Sequence, residues 1–118
     1  MANPNLINVS SVLGANAGFN LTNTATATLI TVASDKLVKI NRITCANVDG
    51  TNSATVTVTH YDGSNDRHIA KGITVPAGAT VVLIDKNSFL YLEENHSIRG
   101  GASAASDLEI LICYEELS

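Results

Sequence analysis

The chain has 118 residues, of which 45% are apolar and 15% are charged, and its formal net charge is -4. This length suits one domain with one modest core. The seven lysines and arginines are scattered, which argues against nucleic acid as a partner because phosphate binding needs clustered basic residues. No apolar run approaches the roughly 18 residues of a membrane span, and the first residues lack the features of an export signal. We therefore expect neither a membrane partner nor secretion.

The low content of charged residues also predicts which residue types the surface exposes. A typical globular protein is about 25% charged, so this chain must expose mainly Asn, Ser, Thr, Ala and Gly. Such a surface costs little to desolvate and suits contact with other proteins.

The N-terminal segment, residues 1–19, is apolar enough to bind another surface yet is interrupted by Asn and Gly. Its apolar residues, which are the candidate partner-interface residues, are Leu6, Ile7, Val9, Val12, Leu13 and Phe19. One interpretation is a first strand over residues 6–13, with 14–18 as a flexible link. The other is an arm that adds to the sheet edge of a neighbouring molecule through main-chain hydrogen bonds. Residues 20–118 are expected to form a single β-sandwich domain.

Short β-branched runs follow one another along the rest of the chain, and helix-forming residues are sparse. Residues 25–32 can form a strand. Within residues 37–46, Val38 and Ile40 share one alternation phase whereas Ile43 and Cys45 share the other, which predicts a β-bulge or a bend between Ile40 and Ile43. Residues 54–61 form the clearest strand, with valines on one face and threonines on the opposite face.

Further strands are predicted at residues 68–75, 79–85, 89–92, 97–99 and 108–114. Turn sequences separate them at roughly 8–12 residue spacing, which is typical of a sandwich or barrel. The total is eight to ten short strands. Parallel sheets need helical crossovers, for which there is no room. The fold class is therefore an all-β antiparallel β-sandwich, and a jelly roll is the favoured topology.

Few residues suggest chemistry. His60 and His68 flank a turn, so a hairpin would bring them close together, with Asp62 or Asp66 as a possible third metal ligand. The simpler interpretation, which we favour, is two exposed hairpin residues.

The turn at residues 62–66 resembles the start of a calcium loop but lacks the Gly and Glu that such a loop needs at its sixth and twelfth positions. The adjacent pairs Glu93–Glu94 and Glu115–Glu116 would point to opposite faces of a strand, which does not suit acid–base catalysis. We expect no catalytic residue, no metal, no cofactor and no enzyme activity.

The two cysteines, Cys45 and Cys113, are 68 positions apart. An intracellular origin favours two reduced, buried thiols, and a disulfide between the strands that carry them is the alternative.

Three stretches, in this order, resemble known proteins: residues 46–58 (ANVDGTNSATVTV), 75–79 (VPAGA) leading to 90–94 (LYLEE), and 102–109 (ASAASDLE) ending at 114–116 (YEE). They resemble small β-sandwich virion structural proteins of tailed bacteriophages, especially phages of cyanobacteria. The family often has Gly-Asp after the paired Glu, whereas Asn95 and His96 stand here, so this turn is expected to differ.

The resemblance implies a structural role in the virion, with synthesis in the host cytoplasm. The first expectation is a capsid decoration (cement) protein that binds the major capsid protein as a homo-oligomer, with a trimer favoured. The second is a ring component of the neck or tail. A third, from a different class, is a β-sandwich that recognises a host-surface receptor or glycan, which would need exposed aromatic residues or bound calcium.

Overall fold

The structure is a computed structural model that describes residues 10–22 and 26–118. These residues form nine strands and no helix. The strands are β1 (Val12–Asn20), β2 (Ala27–Thr31), β3 (Leu37–Asn47), β4 (Ala54–Tyr61), β5 (Asp66–Val75), β6 (Thr80–Ile84), β7 (Leu90–Leu92), β8 (Ser97–Ala102) and β9 (Leu108–Leu117). The prediction of an all-β protein with eight to ten short strands is confirmed.

The strands form two antiparallel sheets. Sheet A has the order β1-β9-β3-β6, and β7 also pairs with β3; sheet B has the order β2-β8-β4-β5. Along the chain, β4 pairs with β5, β3 with β6 and β7, β2 with β8, and β1 with β9. The chain is thus one long two-stranded ribbon whose tip is the β4–β5 hairpin. Rolling this ribbon up brings β9 beside β3 and β8 beside β4, which is the predicted jelly-roll topology.

The core lies between the two sheets and follows the period-two pattern of the strands. Val56 and Val58 are fully buried, while Thr55 and Thr57 point outward from sheet B, as predicted. The largest fully buried side chains are Ile40, Ile43, Leu92, Ile98, Leu108, Ile110 and Ile112. Each such aliphatic side chain contributes about 1.5–3 kcal/mol relative to an exposed one.

The predicted bulge in β3 is also confirmed. The pairing of β3 with β9 shifts by one residue between Ile40 and Arg42, so Asn41 is the extra residue. The bulge lets Ile40 and Ile43 both face the core despite their odd spacing. The Asn41 side chain donates a hydrogen bond to Glu115 Oε1 at 2.9 Å, which ties the bulge to β9.

One local prediction is wrong. Residues 14–18 were expected to be a flexible link, but they lie in the middle of β1 and pair with β9 without a register shift. Their small side chains give little strand propensity, so the ladder with β9 supplies the stabilisation instead. Ala15 and Ala17 are half-buried on the inner side of the sheet.

Candidate interaction surfaces

The six predicted interface residues divide into three groups. Leu6, Ile7 and Val9 lie outside the described residues, so their part in an arm stays a prediction. Val12 and Leu13 lie at the start of β1, and each residue is 59% exposed. Phe19, near the end of β1, is half-buried and packs against the core.

A row of uncharged side chains crosses the outer face of sheet A. The cross-strand register places Gly18, Leu111, Thr44 and Val82 side by side on β1, β9, β3 and β6. Leu111, on the central strand β9, is 44% exposed, and Val82, on the edge strand β6, is 50% exposed. We call these four residues the sheet A row. An open cavity of about 520 Å³ lies over the Gly18, Leu111 and Thr44 part of the row, and Glu109 also lines it. Exposed apolar side chains grouped on a weakly charged surface are typical of protein contact sites.

The outer face of sheet B carries an ordered polar cluster. Arg99 Nη1 donates to Asp66 Oδ2 at 2.9 Å, and Thr59 Oγ1 donates to the other oxygen, Oδ1, at 2.8 Å. The Arg99 guanidinium lies over the Tyr61 ring, 4.7 Å from its centroid. Thr59 is 1% exposed although it points away from the core, because this cluster covers it. Arginine and tyrosine held in this way are common anchors in protein interfaces.

The favoured interpretation of His60 and His68 as two exposed hairpin residues holds for His68, whereas His60 is half-buried. The alternative, in which the two histidines lie close together, is wrong. In the β4–β5 hairpin His60 pairs with Arg67, and His68 pairs with Thr59, so the two imidazoles point to opposite faces. The turn pairs Tyr61 with Asp66. Placing His60 directly opposite His68 would require the two strands to shift by one residue. His60 instead contacts a histidine that sequence reasoning had not paired with it. Its Nε2 lies 3.0 Å from Nδ1 of His96, the residue immediately before β8.

Burial lowers the pKa of His60 below its ordinary value of 6.5, and the neighbouring His96 acts in the same direction. The carboxylates of Asp62 and Glu93 act in the opposite direction. The unfolded chain therefore binds a proton at His60 at a pH where the folded chain does not. This contribution to stability is complete above pH 6.5 and is lost as the pH falls below that value towards the lowered pKa of the folded state.

We therefore expect the free energy of unfolding in urea to fall between pH 7 and pH 5, and expect His60→Gln to reduce that fall. His68→Gln, at an exposed position on the same hairpin, should leave it unchanged. Equal pH dependence in both variants would contradict this assignment. Protonation of Asp49 and Asp62 does not contribute to the stability change between pH 7 and pH 5. Backbone hydrogen bonds lower their pKa values below 3.8, so they titrate at more acidic pH.

Three acidic side chains, those of Asp62, Glu94 and Glu116, hold nearby parts of the chain in place through hydrogen bonds or an ion pair. Asp62 Oδ1 accepts backbone hydrogen bonds from Ser64 and Asn65 at 2.9 and 2.7 Å and so closes the turn that resembled a calcium loop. Glu94 accepts a hydrogen bond from the Asp35 backbone at 2.7 Å, and Glu116 lies 3.6 Å from the Lys36 ammonium.

Among residues 10–22 and 26–118, no group of three or more His, Cys, Asp or Glu could hold a metal ion. No helix in this part of the chain could cross a membrane.

The two cysteines are free thiols on opposite faces of sheet A. Cys45 points into the core and pairs with Ile110, whereas Cys113 points outward between Arg42 and Asn16. Side chains on opposite faces of a sheet cannot be bridged without moving the backbone, so the alternative of a disulfide between them is wrong. Burial raises the pKa of the Cys45 thiol to about 11, which keeps it protonated and unreactive at neutral pH.

Two solved structures with a similar fold are of chains from large assemblies. A chain from the acid-stable capsid of Helicobacter pylori bacteriophage KHP30 matches 93% of this chain and 90% of its own, with 12% identity and a TM-score of 0.56. A chain from the disulfide-linked pili that form Bacillus endospore appendages matches 92% and 88%, with 12% identity and a TM-score of 0.53. No protein-family model and no curated protein matches the sequence. At this identity the two likenesses show a shared fold.

Two surface features were missed by sequence reasoning. The Arg99–Asp66–Tyr61 cluster joins residues of three strands, and only the sheet order brings them together. The sheet A row likewise depends on the registers of four strands. The available signal was the apolar residue at each outward position of a predicted strand, Leu111 on β9 and Val82 on β6.

Proposed function

We propose that this protein is a structural component of a phage virion and acts as a capsid decoration protein that binds and stabilises the shell. The observation that carries the proposal is the sheet A row. It is a strip of uncharged residues across the outer face of sheet A, with Leu111 and Val82 exposed. It suits a protein surface better than a small ligand, because it crosses an open face of the sheet.

The likeness to a phage capsid chain supports a virion role, and the likeness to a pilus chain agrees with a protein that works in many copies. Many weak contacts made at once would hold a shell through avidity even where each contact is weak. The partners would be the major capsid protein and further copies of this chain. No catalytic step is part of the proposal.

The test uses expanded capsid shells of the phage that encodes the chain, prepared without this protein. Adding the purified protein should raise the melting temperature of the shell in calorimetry. Leu111→Glu, which places a charge in the sheet A row, should abolish this rise, whereas Thr57→Glu on the outer face of sheet B should retain it. An unchanged melting temperature with the wild-type protein would overturn the proposal.

A ring component of the neck or tail is the second candidate, and the chain's likeness to a pilus chain favours it over receptor binding because a pilus is also a repeating, non-shell assembly. Copy number separates the two. Quantitative gels of purified virions should give hundreds of copies for a decoration protein and six to a few dozen for a ring, because each follows the symmetry of its site.

A further inference from the structure

The edges of the two sheets differ in how they are protected against pairing with another chain. In the described part of the protein, β5 is an edge with two register shifts and carries Asp66, Arg67 and Lys71. The edge strand β2 has five residues and a bulge, and the opposite edge of sheet A is divided between the short strands β6 and β7. Bulges, charges and short strands are the devices that prevent edge-to-edge association.

The edge strand β1 has none of these devices. It is nine residues long, contains no charged residue and no proline, and pairs with β9 without a shift. Val12 and Leu13 expose apolar side chains at its start. A long, regular, uncharged edge is open to strand addition.

The backbone groups available at this edge can be identified. Ser11 and Ser118 exchange both backbone hydrogen bonds, at 3.1 and 3.0 Å, and the Leu21 N–H donates to the Leu108 carbonyl at 2.8 Å. In an antiparallel ladder such pairs recur every second residue. The odd-numbered residues of β1 therefore bond to β9. The N–H and C=O groups of the even-numbered residues point outward from the sheet, and Asn16 is the middle one of these.

The sequence of β1 is symmetric about that residue. Residues 13–19 read Leu-Gly-Ala-Asn-Ala-Gly-Phe, which is a palindrome except that Leu13 stands opposite Phe19. Two antiparallel copies of this strand related by a two-fold axis at Asn16 would place Gly14 opposite Gly18 and Ala15 opposite Ala17. The central pair, Asn16 with Asn16, uses the outward-pointing backbone groups, so the symmetry centre and the hydrogen-bonding phase coincide.

We propose that β1 binds β1 of a second copy of this chain in this register and joins the two A sheets into one continuous sheet. Leu13 of each copy then lies opposite Phe19 of the other on the inner side of the sheet, which covers an exposed apolar side chain. On the outer side Gly14 of one copy lies opposite Gly18 of the other, so no side chains meet at these pairs. No like charges meet, because β1 is uncharged.

This contact has two-fold symmetry, so it forms pairs and cannot close the trimer that the sequence resemblance favours. It uses the backbone edge of β1 and leaves Leu111, Thr44 and Val82 of the sheet A row uncovered, so it does not depend on the proposed virion role. A single strand pair is a small interface, so pairing is expected at micromolar concentrations or above.

The test is the mass of the protein in sedimentation equilibrium from micromolar to millimolar concentration. The wild-type chain should reach twice its monomer mass of 12.3 kDa. Asn16→Lys and Asn16→Asp each place like charges opposite one another and should each raise the dissociation constant about tenfold or more. An equimolar mixture of the two variants should pair again. Thr74→Lys, which adds the same charge to the edge strand β5, should pair like the wild type.

A second measurement locates the contact. Amide hydrogen exchange of Gly14, Asn16 and Gly18 should slow as the wild-type concentration rises, whereas Ala15 and Ala17, already bonded to β9, should change little. A wild-type chain that stays monomeric or forms a trimer would overturn the proposal. So would pairing that is unaffected by Asn16→Lys, or variants that fail to pair when mixed. Rescue in the mixture also shows that both variants are folded.

Discussion

Replacing Ile112 by Ala is expected to lower the free energy of unfolding by about 2–5 kcal/mol. Ile112 lies in the middle of β9, is fully buried, and sits between Ile43 on β3 and Ala17 on β1. The substitution leaves a cavity between the sheets at a point where three strands of sheet A meet. Equilibrium urea unfolding followed by circular dichroism gives the value.

The neighbouring residue provides the control. Leu111 lies on the same strand with similar volume but points outward, so Leu111→Ala should change the free energy of unfolding by no more than about 0.5 kcal/mol. Equal losses in the two variants would show that the alternation of β9 has been assigned to the wrong faces.

The second large loss of stability is expected when Asn47 is replaced. This residue is 3% exposed at the end of β3. Its Nδ2 donates to the backbone carbonyls of Asn52 and Val75 at 3.0 and 2.9 Å, and its Oδ1 accepts from the Asp49 N–H at 2.9 Å. One side chain thus holds the turn between β3 and β4 against the end of β5. Asn47→Ala should lower the free energy of unfolding by about 2–4 kcal/mol, because three backbone groups lose their partner and the Val75 carbonyl stays buried.

Asn47→Asp tests the direction of these bonds. The carboxylate keeps the acceptor for Asp49 but turns an oxygen towards two carbonyls, so it should destabilise the fold at least as much as Ala does. Asn87→Ala, at an exposed position between β6 and β7, is the matched control and should have little effect in urea unfolding. A stable Asn47→Asp variant would contradict the assigned amide orientation.

The parts of the fold that were predicted correctly depend on local alternation. The valines and threonines of β4 revealed its two faces, and the phase change between Ile40 and Ile43 located the bulge in β3. Such patterns arise because one face of each strand is buried, and burial acts on every second residue. The absence of room for helices then limited the fold to antiparallel sheets.

The errors arose where structure depends on distant partners. Gly14 and Gly18 have low strand propensity, and only the ladder with β9, about a hundred residues later in the chain, makes that segment a strand. His60 was paired with the wrong histidine because a hairpin register cannot be read to one residue from turn composition alone. The interaction surfaces required the order of strands in each sheet, which no local pattern contains.

The position of β9 in sheet A has a consequence for biosynthesis. β9 follows β1 to β8 in the chain yet lies between β1 and β3, so β1 and β3 have no partner on that side until β9 has left the ribosome. Closing a loop of about a hundred residues is entropically costly, and contacts so distant in sequence slow folding. The nascent chain must therefore keep the uncharged strand β1 soluble until β9 has been made, and the scarcity of β-branched residues in β1 limits aggregation during that time.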